Sequence, residues 1–266
     1  MQRTEEDAQR MMAFMNTNYL VANASKTKLI IFRPRHNNTD KRESVKIGST
    51  MVMETESERL LGLVVSNNMG WADHIRDLKA ALNQRVGLLR RLSYSIPQEC
   101  LTQVAQGLVL SKIRYGLSIF GTYRRDEDCA KFGQIQTREV SVNDTMRILT
   151  GNKRADKVPI KKLRESTKLP SVNQMTVQTI LTEAWKIQHG QQDSLMELMV
   201  PLPNVGIRTR AREKGNVTIP SGSSICCASF SAKAAELWNC LPVDIRKCEK
   251  LQTAKQKIKK FAASFP

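Results

Sequence analysis

The sequence predicts an α+β protein in which a small β-containing piece precedes an α-helical bulk. Three observations carry that reading. Strand-type apolar runs are confined to residues 28–65. From Trp71 onward the apolar residues recur at spacings of three and four, the period of helices that bury one face. At 266 residues and 41% hydrophobic, the chain is also long and apolar enough to enclose a sizeable core.

Residues 4–20 read as an amphipathic helix, with Ala8, Met11, Met12, Met15 and Tyr19 at helical spacing and acids in the first turn, where they meet the positive end of the helix dipole. Lys28-Leu29-Ile30-Ile31-Phe32 is a β-type run closed by the basic turn Arg33-Pro34-Arg35. Val45-Lys46-Ile47 and Met51-Val52-Met53 flank Gly48-Ser49-Thr50 and read as a hairpin. Leu60-Leu61-Gly62-Leu63-Val64-Val65 reads as one more buried strand, the last in the chain.

A first long helix then carries Trp71, Ile75, Leu78, Leu82, Val86, Leu89 and Leu92 on one face. Ser95 and Gln98 stand at capping-box spacing, with Pro97 in the first turn of a second helix. That helix (Leu101, Val104, Leu108, Ile113) is apolar on most sides and is expected near the centre. A third shows Phe132, Ile135, Val142, Met146 and Leu149, with Gly151 as its C-terminal cap. Residues 171–190 give a fourth. A Pro/Gly/Arg-rich connector runs from Val200 to Ser224, and short helices around Trp238 and over Leu251–Phe261 finish the chain.

Charge sets the functional class. Lys plus Arg number 42 against 25 Asp plus Glu, net +17, with the heavier surplus after residue 150. A surplus of this size predicts a polyanionic partner, nucleic acid ahead of an anionic membrane surface. No apolar run approaches the ~18 residues that a membrane span needs, and Glu5, Glu6 and Asp7 argue against a secretory leader. Six scattered cysteines (100, 129, 226, 227, 240 and 248) predict buried, reduced thiols in an intracellular protein, nuclear or cytoplasmic.

Several chemistries have no motif here. There is no Gly-Lys-Ser/Thr loop, no Gly-x-Gly-x-x-Gly, no Gly-x-Ser-x-Gly and no His-Glu-x-x-His. The three histidines (36, 74, 189) are spread out and no Cys-x-x-Cys occurs, so the reading assigns this chain no metal and no cofactor. No two aspartates are adjacent, so an Asp-Asp two-metal centre is missing.

A series of short motifs does stand out. Asn23-Ala24-Ser25-Lys26-Thr27-Lys28-Leu29-Ile30-Ile31-Phe32 resembles the segment that follows the catalytic box in reverse transcriptases of non-LTR (LINE-type, Jockey-like) retrotransposons. Leu60-Leu61-Gly62-Leu63-Val64 and Trp71-Ala72-Asp73-His74-Ile75 resemble that family's Leu-Gly turn and Trp-x-x-His-Ile thumb start. Ile135-Gln136 followed by Arg147-Ile148-Leu149-Thr150-Gly151, and then Leu237-Trp238-Asn239-Cys240-Leu241-Pro242, resemble two further family motifs, in order.

The resemblance implies a right-hand polymerase fold of which this chain holds the last part: a C-terminal palm remnant over 1–68, a helical thumb over 69–151, a C-terminal helical region over 152–199, a basic linker over 200–224 and C-terminal helices over 225–266. It implies that the family's Tyr-x-Asp-Asp box lies upstream of residue 1, so that Mg²⁺ belongs to the full-length parent and this chain alone does not polymerise.

The resemblance puts Lys26 where the family has a lysine near the incoming nucleotide, able to donate a proton to the pyrophosphate leaving group. It makes Leu61 and Gly62 the turn that lays a primer end against the palm, with His74 at the thumb start. Trp71 opens the apolar stripe and reads as core. On the same helix Arg76, Lys79, Asn83 and Arg90 project within about 60° of one another at 100° per residue, a stripe suited to phosphates. Arg208, Arg210, Arg212 and Lys214 form a second basic arm on the connector. Lys255, Lys257, Lys259 and Lys260 suit the last turns of a helix, where cations offset the dipole. The expected partner is an RNA/DNA duplex or hybrid held through its phosphates. The alternative is a non-catalytic, host-retained helical module that binds nucleic acid or a partner.

Overall fold

A computed structural model describes residues 2–21, 23, 26–33, 42–48, 50–121, 133–202, 214–222 and 224–266. The architecture is α+β: twelve α-helices among the described residues and two small antiparallel hairpins, all of whose strands precede the second helix. The chain divides into two units, Met1–Arg76 and Asp77–Pro266, the division falling within one helix.

In the first unit, α1 (Gln2–Thr17) packs on β1 (Ser44–Ile47), which pairs with β2 (Thr50–Met53) in the register Val45↔Val52. Alternation along the strands turns Val45 and Val52 into the core and leaves Met51 and Met53 exposed. Behind this hairpin the Glu54 carboxylate is buried; Arg33 grips both its oxygens and the Glu43 N–H donates to it at 3.2 Å. The guanidinium holds that carboxyl below its usual range.

Two strand expectations are corrected. The run Leu60–Val65 is not one strand. It splits into β3 (Ser57–Leu60) and β4 (Leu63–Ser66), joined by Leu61 at φ +48° and Gly62 at φ +82°. Two central residues at positive φ are the signature of the tight hairpin turn whose twist matches the strands. Ser57-Glu58-Arg59 carries no apolar signal, which is why β3 was not legible. The run Lys28–Phe32 forms a single bridge, Leu29 to Glu54, rather than a strand. Its hydrogen bonds are split: the Leu29 carbonyl accepts from Thr55 N–H at 2.8 Å, while Arg33 N–H donates to Asn67 O at 3.2 Å.

The stripe predicted from Trp71 folds as α2 (Ala72–Leu92), with Ile75, Leu78, Leu82, Val86 and Leu89 buried. α3 (Gln98–Ala105) continues through a π turn (Gln106–Leu110) into α4 (Ser111–Arg114). The wider turn frees a carbonyl, and Arg85 Nη1 donates to Leu108 O at 2.7 Å there. The capping box expected at Ser95 and Gln98 does not form. Pro97 is the N-cap without a side-chain bond, and the Gln98 amide donates to Leu149 O instead. After Gly116, at φ +73°, come α5 (Leu117–Phe120), α6 (Gly133–Leu149) and an unpredicted short helix, α7 (Ile160–Thr167).

α8 (Val172–Gln188) is the centre of the second unit, with Val172, Met175, Val177, Ile180, Leu181, Ala184 and Trp185 fully buried. A capping box starts it: Ser171 Oγ accepts from Gln174 N–H and Gln174 Oε1 accepts from Ser171 N–H, each at 3.0 Å. The Glu139 carboxylate takes the next free amide, Val172 N–H, at 2.8 Å. α9 (Ser224–Ala228), α10 (Phe230–Cys240), α11 (Val243–Arg246) and α12 (Leu251–Ala262) follow, and α10 and α12 pack directly on α8.

Candidate nucleic-acid interface

α2 fixes the geometry of the stripe. Because its apolar face is spent on the core, the residues about 100° away emerge on its flank. Lys79, Asn83 and Arg90 are exposed, and neither cation has an acidic partner among the described residues. At 1.5 Å per residue, Lys79 to Arg90 spans roughly 16 Å, about five nucleotide steps of duplex rise. Arg76 is different: exposed, but ion-paired with Asp73 one turn back, so part of its charge is already answered. Arg85 turns inward to the π turn.

In the first unit, Lys26 is exposed at the end of a turn in which its N–H donates to Asn23 O at 3.1 Å. Leu61 is 82% exposed at the hairpin tip, and Gly62 beside it is exposed as well. His74, expected at the thumb start, is enclosed rather than open to solvent. It is 5% exposed, its Nδ1 accepts from Val64 N–H at 3.4 Å, and its ring meets Trp71 edge-on at 6.2 Å. A ring enclosed in this way holds β4 against the start of α2.

Arg208, Arg210 and Arg212 lie outside the described residues; Lys214 is exposed. Its backbone shows what the Trp-Asn-x-Leu-Pro box does. Trp238 Nε1 donates to Gly215 O at 3.0 Å, and the Asn239 amide brackets Val217 with two bonds of 2.9 Å. Arg246, buried beside the Trp238 ring, donates to Lys214 O, Asn216 Oδ1, Asn239 O and Leu241 O at 2.8–3.0 Å. The box is a clamp that fixes the end of the basic arm to the C-terminal helices. Sequence reading found the box but missed Arg246.

It also missed two buried cations. Arg138 is fully buried, its guanidinium 5.4 Å from the Phe120 ring centroid, and burial pushes it down to about 10 despite Glu139 nearby. Lys233 Nζ donates to Gly121 O at 2.8 Å, and burial, aided by the charge of Arg138, pushes it down to about 8. The signal was present: Arg138 fills the slot between Ile135 and Val142 in an apolar stripe.

The thiols depart from expectation too. Cys100, Cys227 and Cys240 are exposed, and Cys226 and Cys248 are half-buried; Cys129 lies outside the described residues. These positions fall on outward faces, which composition alone does not reveal. Among the described residues no cluster of His, Cys, Asp or Glu has the makings of a metal site, and no helix is long and apolar enough to cross a membrane. The chain matches no protein-family model, no curated protein and no solved structure.

Proposed function

We propose that the chain is the nucleic-acid-holding C-terminal part of an RNA-directed DNA polymerase of the non-LTR retrotransposon type, and that it binds duplex or hybrid nucleic acid through phosphates without reading sequence. The observation that carries the binding is the set Lys79, Asn83 and Arg90, exposed on one flank of α2 with no acid among the described residues to neutralise its cations, in a chain of net charge +17. Phosphate contacts of this kind set position and supply affinity but no sequence information. The ordered series of family-like motifs supports the polymerase assignment. Mg²⁺, which such polymerases use, would be held by aspartate motifs that this sequence does not contain, so the reading gives this chain binding and no synthesis.

The test of the binding is fluorescence anisotropy on a labelled RNA–DNA hybrid. Lys79→Ala with Arg90→Ala should weaken binding and flatten the log–log salt dependence by roughly one unit per lost contact, with circular dichroism unchanged. Wild-type affinity and slope in the double variant would overturn the role of α2. Primer extension with Mg²⁺ on the purified chain should give no product; template-dependent synthesis would contradict the assignment of catalysis to other segments.

A further inference from the structure

A cleft of about 740 Å³ opens in the second unit where α7, α8 and α12 meet. Its volume lies within the range of small-molecule sites. Apolar surface from Leu169, Pro170 and Phe265 forms part of its wall, and three lysines stand around it: Lys161 on α7, Lys168 at the end of α7 and Lys259 on α12.

The charge in this cleft is not internally balanced. Arg164 Nη2 is tied to Glu139 at 2.6 Å, and the other oxygen of Glu139 takes Val172 N–H. The two charges neutralise each other, although Arg164 Nη1 is buried without a hydrogen-bond partner among the described residues. What remains is three lysines against Glu165 and the terminal carboxylate of Pro266, net +1, and none of the three lysines is ion-paired among the described residues. The amides differ as well. Gln174 is committed at both ends, its Oε1 to Ser171 N–H and its Nε2 to Phe265 O at 3.0 Å. The Gln178 amide lines the cleft with no protein hydrogen bond to its side chain among the described residues, leaving a donor and an acceptor on offer.

We infer that this cleft binds a single nucleotide unit, with the phosphate among Lys161, Lys168 and Lys259 and the base on the Pro170–Phe265 surface within reach of the Gln178 amide. Unpaired cations beside an apolar surface and a free amide match the three parts of a nucleotide: an anion, a flat π-face and a hydrogen-bonding edge. The inference is independent of duplex binding by α2, since no residue is shared.

Calorimetric titration of the full chain with adenosine monophosphate, a 5′-phosphorylated tetranucleotide and inorganic phosphate tests it. One-to-one binding of the monophosphate or the tetranucleotide, at least tenfold tighter than phosphate, is expected. Lys161→Ala with Lys259→Ala should weaken it at least tenfold, and Lys79→Ala with Arg90→Ala should leave the binding of the monophosphate unchanged. Equal affinity for monophosphate and tetranucleotide would assign a free nucleotide; tighter tetranucleotide binding that is lost in the Lys161→Ala, Lys259→Ala variant would assign a strand end. Phosphate binding as tight as that of the nucleotides, no saturable binding, or indifference to the lysine pair would overturn the inference.

Discussion

Lys233 carries a positive charge into the second unit, and its carbonyl partners, Gly121 O and Ile119 O, do not neutralise it. Its pKa therefore falls from 10.5 to about 8. Below pH 8 both folded and unfolded chains hold the proton, and the folded one bears the burial penalty in full. Between about 8 and 10.5 the unfolded chain binds more protons, so stability rises with pH across that window, by about 3 kcal/mol in all. Lys233→Met removes the titration. In urea titrations from pH 7.5 to 10.5, the difference between wild type and variant should shift towards wild type as pH rises; parallel curves would contradict the buried charge.

Among the elements, α2 was legible nearly residue by residue, because a long amphipathic helix repeats its signal at Ile75, Leu78, Leu82, Val86 and Leu89. β3 was not, because its four residues are polar apart from Leu60 and gain their place only by pairing with β4. The turn between them places a leucine at φ +48°, a backbone region that suits Asn or Gly far better. Leu61→Asn creates the Asn-Gly pair such turns prefer and should stabilise the hairpin by about 1 kcal/mol. Hydrogen-exchange protection of the β3–β4 amides reports it; lower protection in the variant would contradict the turn. α7 escaped the reading because only Leu163 of its eight residues is buried, too few for a period to emerge.

At the scale of the whole molecule, composition announced a polyanionic partner, yet where charge is available depends on what the fold does with each cation. Arg76 is paired, Arg85, Arg138 and Arg246 are structural, and Lys79 and Arg90 stay open to solvent. Sequence spacing put Arg76, Lys79, Asn83 and Arg90 on one flank, but it could not separate the neutralised cation from the open ones. It also could not see that His74 would be enclosed, since burial there comes from a hairpin eight to seventeen residues upstream. The central claim is that the open cations hold nucleic acid by its phosphates alone. A salt titration of wild-type chain on two hybrids of unrelated sequence tests it most directly. Each neutralised phosphate adds about −0.9 to the log–log slope, so Lys79 and Arg90 alone predict a slope of about −2 or steeper, and the claim requires the same affinity for both sequences at each salt concentration. A slope near zero, or a strong preference for one sequence, would contradict it.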